Sequence, residues 1–99
     1  MSDALRLPVE MTIYTAGETA AALREWLQAA PADGALQVQG DAVAEIDGAG
    51  LQLLAALQHS LAGQRRNVQW HTPSATLARA CRMLGPGAPF AAAGHGDAA

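Results

Sequence analysis

Between Ala44 and Leu54 the chain reads Ala-Glu-Ile-Asp-Gly-Ala-Gly-Leu-Gln-Leu-Leu, and this stretch constrains the fold more than any other. An irregular segment must give way here to an apolar helix. Asp47 is suited to the N-cap, because its carboxylate can accept hydrogen bonds from first-turn amides that have no partner within the helix. Gly48 and Gly50 form helix poorly, so their place calls for close backbone approach, to a neighbouring strand or to a partner. From Leu51 onward the spacing is helical. A helix start of this kind carries free amides and partial positive charge, which suits an anion or a docking surface.

The rest of the chain arranges itself around that helix. Leu5, Leu7 and Val9 alternate with polar positions, which predicts a strand at Leu5–Val9, with Pro8 confining it to an edge or an end. A loop follows from Glu10 to Tyr14. Thr15 and Glu18 form a capping-box pair, and helix one runs to about Ala30, before Pro31. Its expected inner face is Ala20, Leu23, Leu27 and Ala30, with Trp26 as a lid at the flank. Asp33-Gly34 reads as a turn and Leu36–Gln39 as a short strand.

Helix two spans Ala49 to Ala62, with Gly63 as its C-terminal cap and Leu53, Leu54, Leu57 and Leu61 as its core stripe. Its outward face is small and neutral where a solvated helix would carry charge, which hints at a contact surface. Asn67–His71 alternates as another strand. Thr72-Pro73-Ser74 opens helix three, with proline at the first turn. That helix should turn Leu77, Ala80, Cys81 and Leu84 inward and stop at Gly85-Pro86-Gly87. Ala88–Phe90 could add an edge strand, and residues 91–99 should form a disordered tail. Strand and helix alternating three times argues for a small α/β fold with at least three mainly parallel strands.

Composition narrows the function. Nine acids against six arginines make the chain mildly acidic, which argues against nucleic acid as a partner. Residues 1–50 hold eight of those acids and two arginines, whereas residues 51–99 hold one acid and four arginines, so the molecule has two differently charged sides. The lone Cys81 excludes an internal disulfide and fits a cytoplasmic setting. No apolar run is long enough for a membrane span.

Catalytic sets are hard to assemble. His59, His71 and His95 lack the spacing of metal ligands on one element. Ser60 and Ser74 lack the context of an activated nucleophile. Gly48-Ala49-Gly50 could open a dinucleotide fingerprint, but Leu53 stands where its third glycine belongs, and the chain contains no lysine for a phosphate loop. The chain reads as a non-enzyme without cofactor or metal.

Ile46-Asp47-Gly48-Ala49-Gly50-Leu51-Gln52-Leu53-Leu54 resembles the signature of STAS domains, the fold of anti-sigma-factor antagonists and of sulphate-transporter tails. Glu10–Ala16 is similar to the family's segment leading into its first helix. Pro73-Ser74, with the helix ending in Leu84-Gly85, is similar to its last. The resemblance implies one domain over residues 1–90, a mixed, mainly parallel sheet of about four strands, and about three helices largely on one side. It implies a regulatory module that docks a protein partner through Asp47, Gly48, Ala49, Gly50 and Gln52. That partner would be a signalling kinase or anti-sigma factor, as in chemotaxis and other bacterial signalling systems. Alternatively the chain would be a structural subunit on the ATPase of a lipid-transport ABC complex, or a small-ligand-binding module. The family's phosphoacceptor follows the aspartate, and here that position is Gly48, followed by Ala49, so neither carries a hydroxyl.

Overall fold

A computed structural model of the chain describes residues 4–30 and 35–90. The Asp33-Gly34 turn and the 91–99 tail lie outside the described residues. Among the described residues, five strands and three helices follow in order: β1 (Ala4–Arg6), β2 (Glu10–Met11), α1 (Ala16–Ala29), β3 (Leu36–Gln39), β4 (Glu45–Ile46), α2 (Gly48–Gly63), β5 (Val68–His71) and α3 (Ala75–Arg82). They make a three-stranded sheet in the order β1-β3-β5 and a two-stranded sheet of β2 and β4. Every one of these ladders is parallel. The small α/β fold expected from the alternation is present, with its strands split between two sheets.

Pro8 explains the split. The first ladder reaches Leu7, whose amide donates to the Gln39 carbonyl at 2.9 Å. Proline has no N–H to continue it, so the strand expected to reach Val9 ends at Arg6, and Val9 is 60% exposed. The pairing then resumes one step on. The Val9 carbonyl accepts from the amides of Ala44 and Glu45, and Glu10–Met11 pairs with Glu45–Ile46 where a loop was expected. Met11 is turned fully inward.

The core forms where the strand and helix periods meet. Leu36 and Val38 point inward on β3, and Leu54, Leu57 and Leu61 meet them from α2. Leu23 enters from α1, while Leu27, Leu53, Trp26 and Ala30 are partly buried against the same cluster. Thr19, rather than Ala20, is the further buried residue of α1. The Thr15–Glu18 capping box does not form. The Thr15 hydroxyl instead donates to the Glu10 and Thr12 carbonyls and accepts from the Thr12 amide, so it closes the preceding loop.

Two helix ends also differ from the expectation. Gly63 lies inside α2, and the left-handed residue that ends this helix is Arg65, with φ of 56°. The Arg65 amide bonds to the Ala62 carbonyl and the Arg66 amide to the Leu61 carbonyl, the paired bonds of a Schellman motif placed two residues later than glycine suggested. At α3, Pro73 precedes the N-cap instead of opening the first turn. Ser74 is the cap, and its hydroxyl accepts from the Leu77 amide. This short helix buries Leu77, Ala78 and Cys81 and leaves Leu84 half exposed. Ala88–Phe90 forms no strand; Phe90 instead turns its ring into the core beside Trp70.

Candidate functional site

The start of α2 is tied to the loop before α1 by one carboxylate. Asp47 caps the helix, with Oδ1 accepting from the amides of Ala49 at 3.0 Å and Gly50 at 3.2 Å. Its Oδ2 accepts from the Ile13 amide at 3.0 Å, at the end of the parallel β2–β4 pair where both strands finish. These bonds favour the ionised form. The Ile13 amide, ahead of those of Gly50 and Ala49, holds the Asp47 carboxyl below the usual carboxylate range, although partial desolvation acts the other way.

The sign of the resulting pH dependence follows. A depressed native pKa adds stability that is present above the ordinary carboxylate range near pH 4 and is lost as pH falls through the native value. Asp47→Asn should therefore lower Tm at neutral pH, and the difference from wild type should shrink on acidification. Thermal melts at a series of pH values check this. A difference that persists or grows at low pH would assign the effect to shape instead of charge.

The two glycines have different tasks. A Cβ on Gly50 would collide with the Met11 carbonyl oxygen and lie 2.9 Å from the Ile46 side chain, so α2 can rest on β2 only through glycine. A Cβ on Gly48 would meet open space. Of the five residues singled out in the sequence, Gly48 and Gln52 are exposed, Asp47 and Ala49 are half-buried, and Gly50 is buried beneath them. Gly50 sets the height of the helix start and presents nothing to a partner.

Sequence reasoning missed the neighbouring loop. Ile13 is 65% exposed and Tyr14 is 90% exposed, and the Ile13–Asp47 bond fixes both beside the helix start. They fall in the loop expected from Glu10 to Tyr14, where no period marks a side chain as buried or exposed. Two adjacent large apolar residues in a loop were the available signal. The acids are also unequal. Asp41 pairs with Arg6 at 2.7 Å, whereas Glu45 is exposed on β4.

Nothing in this region resembles a tuned nucleophile. The Ser74 hydroxyl donates to the Val43 carbonyl at 2.6 Å while capping α3. Cys81 is buried, and desolvation pushes its thiol up to about 11, so it is protonated at neutral pH. Among the described residues no group of three or more His, Cys, Asp or Glu could hold a metal ion. Among them, too, no helix is long and apolar enough to cross a membrane.

A comparison with curated proteins finds no match. A family model described as "Mlab, STAS domain" matches residues 2–88. STAS domains are in general non-enzymatic modules that bind proteins. The matched span takes in every strand and helix from β1 through α3, and the chain belongs to the STAS-domain family.

Proposed function

We propose that the chain is a protein-docking regulatory module whose contact surface is the exposed start of α2, formed by Asp47, Gly48, Ala49 and Gln52 together with Ile13 and Tyr14. One observation carries this: a tyrosine and an isoleucine, 90% and 65% exposed, are held by a helix-capping carboxylate next to a glycine with open space above it. Exposed aromatic and aliphatic side chains on a fixed backbone are suited to be anchors in a partner's pockets. The bare helix turn lets that partner's backbone come close. Asp47 Oδ1 already occupies the amides of Ala49 and Gly50, which weighs against a small anionic ligand at the same place.

The partner class is a signalling kinase or an anti-sigma factor. A second reading, a structural subunit on the ATPase of a lipid-transport ABC complex, is favoured by the missing hydroxyls at Gly48 and Ala49. A surface that cannot be phosphorylated there fits a permanent assembly better than a switched one. Capture from the native host, followed by binding of the purified partner, separates the two readings by the kind of ATPase or factor recovered. Ala49→Glu should then abolish or strongly weaken binding while stability changes by less than about 0.5 kcal/mol. An unfolded variant, or one that binds as wild type does, would move the docking surface elsewhere.

A further inference from the structure

We propose that the flank of the fold formed by β5 and α3 binds an anionic lipid surface. From Gly48 to Phe90 the chain has no carboxylate side chain, while it carries Arg65, Arg66, Arg79 and Arg82. The described acids lie on β2, α1 and β4, in the loop after β3 and at the cap of α2. The strand order β1-β3-β5 puts β5 at the sheet edge opposite β1. Glu45 stands on the β4 strand that packs against α3.

The cations stand with apolar side chains. Arg79 and Arg82 are exposed and lie three residues apart, on one face of α3. Met83 follows at 82% exposure and Leu84 at 48%. Arg65 is exposed in the turn that leads from α2 into β5. An arginine can lay its aliphatic stem along an apolar surface while its head stays at a phosphate, and Met can adapt to an irregular one. Cations interleaved with exposed apolar groups match the lipid headgroup boundary, where both kinds of contact are available.

The shape and size of the molecule agree with this assignment. Two clefts lie against α1, one beside β1 and the other beside α2. The end of α3 exposes Arg82, Met83 and Leu84 side by side in the chain, a set of contacts that a deformable plane can accept. The molecule measures 33 × 31 × 25 Å, wide against the roughly 8 Å over which charges are screened at physiological ionic strength, so the acids nearest α3, Glu45 among them, are the ones that oppose the attraction.

Co-sedimentation of the whole chain with vesicles tests the proposal. Vesicles of phosphatidylglycerol and phosphatidylcholine in equal parts should bind it at low salt, vesicles of phosphatidylcholine alone should not, and added salt should release it. Each arginine near an anionic surface adds about five-fold to binding, so Arg79→Gln with Arg82→Gln should weaken it on the order of 25-fold. Met83→Ser with Leu84→Ser, at unchanged charge, should weaken it several-fold. Equal binding to both kinds of vesicle, binding to neither, or wild-type binding by either double variant would overturn the proposal. Binding to polyglutamate as tight as to the anionic vesicles, and indifferent to Met83 and Leu84, would assign the flank to an acidic protein instead.

Discussion

Gly50→Ala is expected to destabilise the domain by about 2–3 kcal/mol, even though alanine is the better helix former by about 1 kcal/mol. The added methyl group meets the Met11 carbonyl oxygen, and a backbone atom cannot swing aside as a side chain can. That same oxygen accepts from the Asp47 amide at 3.2 Å, so moving Met11 disturbs the helix cap as well. Relief therefore requires α2 to lift away from β2, and Leu54, which is fully buried, would be drawn out of the core with it. For a domain of this size the loss corresponds to a fall in Tm of roughly 10–20 °C. Gly48→Ala is the control: with open space around its Cβ it should be neutral or stabilise by up to about 1 kcal/mol. Thermal or urea melts of the pair decide the matter. Similar values for both variants would mean that α2 does not rest on the Met11 carbonyl.

That contrast also marks how far the sequence could be read. Asp47 and the two glycines announced a capped, closely packed helix start, because each residue type has a narrow physical use at such a place. Which glycine touches the sheet was not legible, since the contact is made by the carbonyl of Met11, far away in the chain. The helices and the β3 and β5 strands were legible from their periods, and Leu36, Val38, Leu54, Leu57, Leu61 and Leu77 are all buried as the patterns required. The β2–β4 pair was not, because two residues show no period and their pairing depends on how the chain turns after Pro8. Thr15 misled for a related reason. Its hydroxyl can cap a helix or close a loop, and the nearby carbonyls of Glu10 and Thr12 won. At the candidate site, the helix half was readable and the loop half, Ile13 and Tyr14, was not. Exposure of an apolar side chain is a property of what fails to cover it.

Phe90 carries the largest effect expected of any single truncation at the end of the chain. The sequence around it, Gly85-Pro86-Gly87-Ala88-Pro89-Phe90, promised at most an edge strand, yet the ring is 1% exposed. It packs edge-on against Trp70 with centroids 5.1 Å apart and planes at 60°, a favourable arrangement for two aromatic rings. The ring and the Leu77 side chain fill the space where a Cβ on Gly40 would stand, which is why β3 ends in glycine there. Removing the ring leaves a cavity among Gly40, Trp70 and Leu77 that rigid strands cannot close, so Phe90→Ala should cost about 3–5 kcal/mol. Tm should fall by roughly 15–30 °C, and Trp70 fluorescence should shift to the red as solvent reaches its ring. Phe90 also holds a φ of 64°, a conformation that disfavours any residue with a side chain. Phe90→Gly loses the same ring but sheds that strain, so it should be no less stable than Phe90→Ala, reversing the usual order of alanine over glycine. Leu84→Ala, at a half-exposed position six residues earlier, should change stability far less. If Phe90→Ala melted within a few degrees of wild type, the ring would not be a core element, and the region after α3 would have to lie away from β5.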